Sequence, residues 1–120
     1  MSKILVIDDD EPIRDFLAAI LGSKDIEVLQ AENGDDGITM ARENSPDLII
    51  LDMNMPGMTG WEVLPVLKSH PDTKDIPVVG LSGHSNAEDR DKAYDSGCEL
   101  YLTKPIDPMK VLTAVMEILK

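Results

Sequence analysis

Four places in this sequence carry residues able to do chemistry together. Asp8-Asp9-Asp10 follows one short apolar run, Asp52 a second, Ser82 a third and Lys104-Pro105 a fourth. Carboxylates brought close to one another resist ionisation. A hard divalent cation removes that penalty, and Mg2+ favours a few carboxylates with water and phosphate oxygens filling the remaining positions. A lysine at the same place holds an anionic ligand as a point charge. A serine hydroxyl adds a donor for a phosphoryl oxygen. Asp8, Asp9, Asp52, Ser82 and Lys104 thus form a set for phosphoryl transfer: Asp52 is the carboxylate nucleophile, and Mg2+ with Lys104 neutralises the transferred oxygens. Taken singly, each has a blander reading. The acidic triplet could serve only the first turn of a helix before Pro12, Lys104 could be a solvated surface charge, and serines close many strands. Their shared position at the ends of apolar runs sets them apart. No glycine-rich phosphate loop, Cys/His metal cluster or Ser/His/Asp order accompanies them.

The elements that must position these residues are legible in the hydropathy pattern. Apolar runs occupy Ile4–Ile7, Glu27–Ala31, Leu48–Leu51, Val78–Leu81 and Leu100–Thr103. The first, third and fourth are nearly continuous in Ile, Leu and Val, as strands covered on both faces are. Helix-period segments lie between them. Ile13, Phe16, Leu17, Ile20 and Leu21 fall on one helical face, and Val111, Leu112, Val115, Ile118 and Leu119 on another. Asp107 as N-cap and Pro108 at the first helical position open the last helix. Residues 34–43 and 59–69 read as helices. Residues 85–96 read as a weak one, with Ala87, Ala93 and Tyr94 as its apolar residues. Strand–helix alternation repeated five times implies a doubly wound α/β fold, a parallel sheet with helices on both faces. Ligands of such sheets sit beyond the carboxyl ends of the strands, where the four polar groups fall.

Composition bounds the function classes. The chain has 120 residues and a formal charge of −12, from 11 Lys and Arg against 23 Asp and Glu. That length fits one domain, residues 1–120. The acidic balance argues against direct nucleic-acid binding and against docking on an anionic membrane surface. No stretch approaches a membrane span, and Asp8 interrupts the N-terminal apolar run too early for a secretory signal. A cytoplasmic location is the default. Aromatic residues make up 3%, so the core must be aliphatic and Met-rich. The single cysteine, Cys98, reads as a small buried hydrophobe. His70 and His84 read as surface residues. Trp61 reads either as a partner contact or as local packing on the third helix.

Lys3-Ile-Leu-Val-Ile-Asp-Asp-Asp-Glu-Pro-Ile-Arg14, Asp47-Leu-Ile-Ile-Leu-Asp-Met-Asn-Met-Pro-Gly-Met-Thr-Gly60, Leu81-Ser-Gly83 and Gly97-Cys-Glu-Leu-Tyr-Leu-Thr-Lys-Pro105 occur in order along the chain. With these motifs the sequence resembles the receiver domains of two-component response regulators, most of all the single-domain chemotaxis type. The resemblance covers essentially all 120 residues. It implies a flavodoxin-like three-layer sandwich, with five parallel strands in the order 2-1-3-4-5 and five helices. It implies a phosphorelay switch rather than an enzyme acting on other molecules. Asp52 would accept a phosphoryl group from phosphohistidine on a sensor kinase or phosphotransfer protein. Asp9 and Asp52 would bind Mg2+, Asp8 would help through water, and Asn54 would offer its backbone carbonyl. Lys104 and Ser82 would contact the phosphoryl group, and Ser82 and Tyr101 would act as the switch pair. A downstream protein would be met through the fourth helix, fifth strand and fifth helix. The Lys104–Pro105 bond would be cis, and Gly57 and Gly60 would shape the turn beside the acceptor.

Some positions depart from the family pattern. Ser82 stands where threonine is commoner, Gly83 replaces alanine, and Ile106 replaces phenylalanine. Asn54 and His84 occupy positions that tune acyl-phosphate lifetime in the family. Because the chain ends with the fifth helix at Lys120, the expected readout is protein–protein unless this is a receiver cut from a longer protein. An alternative reading is a small haloacid-dehalogenase-type phosphatase. There Asp8 would be the nucleophile and Asp10 its partner, echoed by Ser82 and Lys104, but Asp52 would be left unexplained.

Overall fold

The computed structural model describes residues 2–83 and 86–120. His84 therefore lies outside the described residues. Along the chain, β1 (Lys3–Ile7), α1 (Glu11–Gly22), β2 (Glu27–Ala31), α2 (Gly34–Asn44), β3 (Leu48–Asp52), α3 (Gly60–Ser69), β4 (Val78–Ser82), α4 (Ala87–Asp95), β5 (Leu100–Thr103) and α5 (Pro108–Leu119) alternate as the hydropathy pattern implies. The five strands form one parallel sheet in the order β2-β1-β3-β4-β5.

The continuous apolar strands are those with a core on each side. Leu5, Ile7, Ile49, Leu51 and Val78 face α2, α3 and α4 and pack with Ala41, Val63, Leu64, Leu67 and Ala93. Ile4, Val6, Leu48, Ile50, Val79 and Leu81 face α1 and α5 and pack with Leu17, Leu21, Val111 and Val115. Period-2 alternation sends successive side chains to opposite faces, so an unbroken Ile/Leu/Val run can be buried only between two helical layers. The cores are aliphatic and Met-rich, with Met53 and Met55 fully or almost fully buried.

Some boundaries and faces differ from the sequence reading. Asp52 and Ser82 are the last residues of β3 and β4 rather than the first beyond them. The ladder reaches them because the Met53 N–H donates to the Leu81 carbonyl at 2.8 Å and the Lys104 N–H to the Ser82 carbonyl at 2.7 Å. Phe16 is 43% exposed. On α1 its place in the apolar stripe is taken by Arg14, which turns inward and is buried. On α4 only Ala93 is buried, while Ala87 and Tyr94 are exposed. That helix has the least apolar attachment of the five. α5 opens as expected: Pro108 is in its first turn, and the Asp107 side chain accepts the Met109 N–H at 3.0 Å.

Candidate functional site

Strand register assembles the site. Ile7 pairs with Leu51, so Asp8 and Asp52, one residue further on, stand side by side. Asp52 pairs with Leu81 and Ser82 with Thr103, so Ser82 and then Lys104 follow along the same rim. The strand order reverses between β1 and β3, the place where doubly wound sheets open a crevice. The Lys104–Pro105 peptide bond is cis.

Asp8, Asp9 and Asp52 each bring one carboxylate oxygen within 4.8 Å of the others. Asp8 is fully buried, Asp52 nearly so and Asp9 exposed. Lys104 Nζ lies 3.4 Å from Asp8 Oδ2 and 3.4 Å from Asp52 Oδ2, bridging the two buried carboxylates. One lysine does not balance them. Burial, with the Asp52 charge adding to it, pushes the Asp8 carboxyl up to about 6, against the lowering effects of the Asp10 N–H and Lys104. Asp8 Oδ2 is buried and accepts no hydrogen bond among the described residues. A buried carboxylate oxygen whose one ion-pair partner among the described residues is an ammonium shared with Asp52, beside two further carboxylates, is what a hard cation of the Mg2+ class takes as ligand, so the donor set fits such an ion. Asp10 is outside this cluster. It is exposed at the N-cap of α1, and its backbone N–H donates to Asp8 Oδ1 at 2.9 Å.

The loop after β3 wraps the rim. The Asn54 backbone N–H donates to Asp52 Oδ1 at 3.0 Å, which fixes the carboxylate plane. The Asn54 side chain reaches across to β4, where its Oδ1 accepts from Ser82 Oγ at 2.8 Å. The resemblance gives Asn54 a backbone carbonyl for the metal and a place that tunes acyl-phosphate lifetime, but not this link to Ser82, which joins positions 28 residues apart and has no local signal. Tyr101 is buried. Its ring lies 6.3 Å from that of Trp61, which packs partly buried against the core, while Lys92 Nζ sits 4.5 Å above the Trp61 ring. Local packing, one of the two readings of Trp61, is thus observed. Cys98 is buried and its thiol is pushed up to about 11 by burial, in keeping with a packing role. His70 caps α3 half-buried, with Nδ1 shielded from solvent, so it is only in part the surface residue expected.

Two glycines shape the acceptor turn. Gly57 has φ of +75°, which a side chain rarely tolerates. Gly60 opens α3 against the end of β3, where a Cβ would lie 2.5 Å from the Asp52 carbonyl oxygen and 2.6 Å from Met53 Cα. Both neighbours are backbone and cannot swing away. Gly60→Ala should therefore destabilise the fold by about 1–3 kcal/mol, the usual range for overpacking. Urea unfolding measures this, and a wild-type midpoint would show that the α3–β3 approach is looser than described.

No described helix is long and apolar enough to cross a membrane. The response regulator receiver domain family matches residues 4–116. Protein PilH of Pseudomonas aeruginosa is 34% identical over 119 residues, covering 99% of this chain and 98% of that protein. The phosphate regulon transcriptional regulatory protein PhoB of Escherichia coli is 33% identical over 118 residues, covering 98% of this chain and 52% of PhoB. The chain thus spans about half the length of the transcriptional regulators it matches. The chemotaxis protein CheY4 of Vibrio cholerae superposes with a TM-score of 0.92 at 29% identity, covering 98% of each chain.

Proposed function

The chain belongs to the response regulator receiver domain family, whose members act in phosphorylation-dependent two-component signalling, and from that premise we propose that Asp52 is its phospho-acceptor. Receiver domains are switches that engage histidine kinases and downstream targets, and are not enzymes on other substrates. The observation that carries the proposal is the side-by-side placement of Asp52, Asp8 and Asp9 with Lys104 Nζ 3.4 Å from both buried carboxylates.

In this reading an Asp52 carboxylate oxygen attacks the phosphorus of a phosphohistidine. The P–N bond breaks, the imidazole leaves, and an aspartyl phosphate remains. Lys104 exchanges its contact with the Asp52 carboxylate for a phosphoryl oxygen. Asp9, Asp52 and the Asn54 backbone carbonyl would hold Mg2+, with Asp8 helping through water, and the ion would supply positive charge to neutralise the phosphoryl oxygens. Ser82 Oγ exchanges or shares its bond to Asn54 Oδ1 with the phosphoryl group. Tyr101 shares a buried cluster with Ala93 of the loosely attached α4, and this supports the α4–β5–α5 face as the output surface for a protein target. Residues 1–120 act as one receiver domain in the cytoplasm, with no direct contact to nucleic acid or membrane. The phosphatase alternative is disfavoured because Asp10 stands apart from the cluster and Asp52 within it.

Treatment with acetyl phosphate and Mg2+ followed by intact-mass measurement tests the reading. The expected gain is one labile phosphoryl group of about 80 Da, absent when EDTA is added. An unchanged mass, or an equal gain in EDTA, would count against it.

A further inference from the structure

Arg14 is 8% exposed, and among the described residues no carboxylate pairs with its guanidinium. A buried cation without a counter-ion is costly, and an apolar residue of similar volume is often the more stable choice. Arg14 instead directs its donors at two neutral oxygens. Nη1 donates to the backbone carbonyl of Asp8 at 2.7 Å, and Nε to Gln30 Oε1 on β2 at 3.1 Å. Its own backbone N–H donates to the Asp10 carbonyl at 3.1 Å. One residue therefore grips the β1–α1 turn at both ends.

The consequence falls on Asp8. Its N–H donates to the Ala31 carbonyl of β2 at 3.1 Å, its carbonyl accepts from Arg14, and its Oδ1 accepts from the Asp10 N–H. Three of its four polar atoms are tied to the scaffold. The fourth, Oδ2, is the one that faces Lys104. We propose that Arg14, braced by Gln30, is a positioning residue that keeps the Asp8 carboxylate aimed into the cation and phosphoryl site. This rests on the reading of the carboxylate cluster given above. The device is geometric: a planar fork spans two acceptors that a lysine can reach only one at a time.

The test is Mg2+ titration by calorimetry of wild type, Arg14→Met, Arg14→Lys and Gln30→Ala, each at a temperature where circular dichroism shows it fully folded. Amide hydrogen exchange is followed in the same metal-free proteins. Both Arg14 variants should bind Mg2+ about 10–100-fold more weakly, the usual cost of removing support behind a metal ligand. Gln30→Ala should show a smaller loss, and the Asp10 amide should exchange faster in all three while α5 amides keep their wild-type rates. A folded Arg14 variant with wild-type Mg2+ affinity overturns the proposal. Full rescue by Arg14→Lys also overturns it, because charge alone would then suffice. If neither Arg14 variant folds, wild-type affinity and Asp10 exchange in Gln30→Ala overturn it. A wild-type protein that takes up no Mg2+ overturns the reading of the cluster instead, and unchanged Asp10 exchange in the metal-free variants then overturns the role of Arg14.

Discussion

Asp52→Asn should take up no phosphoryl group from acetyl phosphate and Mg2+ under conditions that fully label the wild type. The substitution is nearly isosteric, and the asparagine Oδ1 can still accept the Asn54 N–H that now reaches Asp52 Oδ1 at 3.0 Å. The fold should therefore persist. What disappears is the nucleophile, since an amide oxygen does not form a stable mixed anhydride with phosphate. Lys104 keeps its partner Asp8 at 3.4 Å, so the rest of the rim stays in place. The expected drop in labelling, read by intact mass on folded protein, is at least about 100-fold, comparable to losing an essential group of an active site. Labelling of the variant at the wild-type rate would place the chemistry elsewhere.

Asp8→Asn should have the opposite effects on stability and on cation binding. The Asp8 carboxyl is raised by burial from its ordinary 3.8 to about 6. The folded protein thus holds this proton more tightly than the unfolded chain between those values. The group's contribution to stability is fully present below about 4 and is lost as pH rises through about 6. At pH 7.5 the wild type carries an ionised, buried carboxylate beside Asp52. Asparagine removes that charge while keeping an oxygen for the Asp10 N–H. The metal-free variant should gain about 1–3 kcal/mol at pH 7.5 and little or nothing at pH 4, the size expected from a shift of this order, which already includes the Lys104 attraction. Mg2+ should then stabilise the wild type and barely affect the variant. Urea unfolding at the two pH values, with and without Mg2+, measures both effects. A variant equally destabilised at each pH would mean that Asp8 is held for structure and not for a cation.

The parts of this molecule legible in its sequence are those set by period and by position relative to an apolar run. β1, β3 and β4 read correctly because both faces are buried, so each run is continuous. Asp8, Asp52, Ser82 and Lys104 were found because they interrupt such runs at one end, and a parallel sheet brings equivalent ends together. What stayed hidden depends on contacts between distant segments. An arginine within an amphipathic helix reads as solvent-facing, and only the Asp8 carbonyl and Gln30 explain why Arg14 turns inward. The inward turn of Arg14 helps leave Phe16 exposed, which apolar periodicity alone would have buried. The Ser82–Asn54 link depends on how the loop after β3 reaches β4, and the Trp61–Tyr101 contact on how α3 packs against β5. The Asp8 shift in turn depends on burial, which no local pattern reports.

The most direct measurement is the identity of the phosphorylated residue. Protein treated with acetyl phosphate and Mg2+ is reduced with sodium borohydride, which converts an aspartyl phosphate to homoserine, and is then digested and sequenced by mass spectrometry. Homoserine at position 52, absent in EDTA, is the predicted result. Homoserine at position 8 would instead support the phosphatase alternative, and none at any aspartate would contradict acyl-phosphate chemistry on this chain.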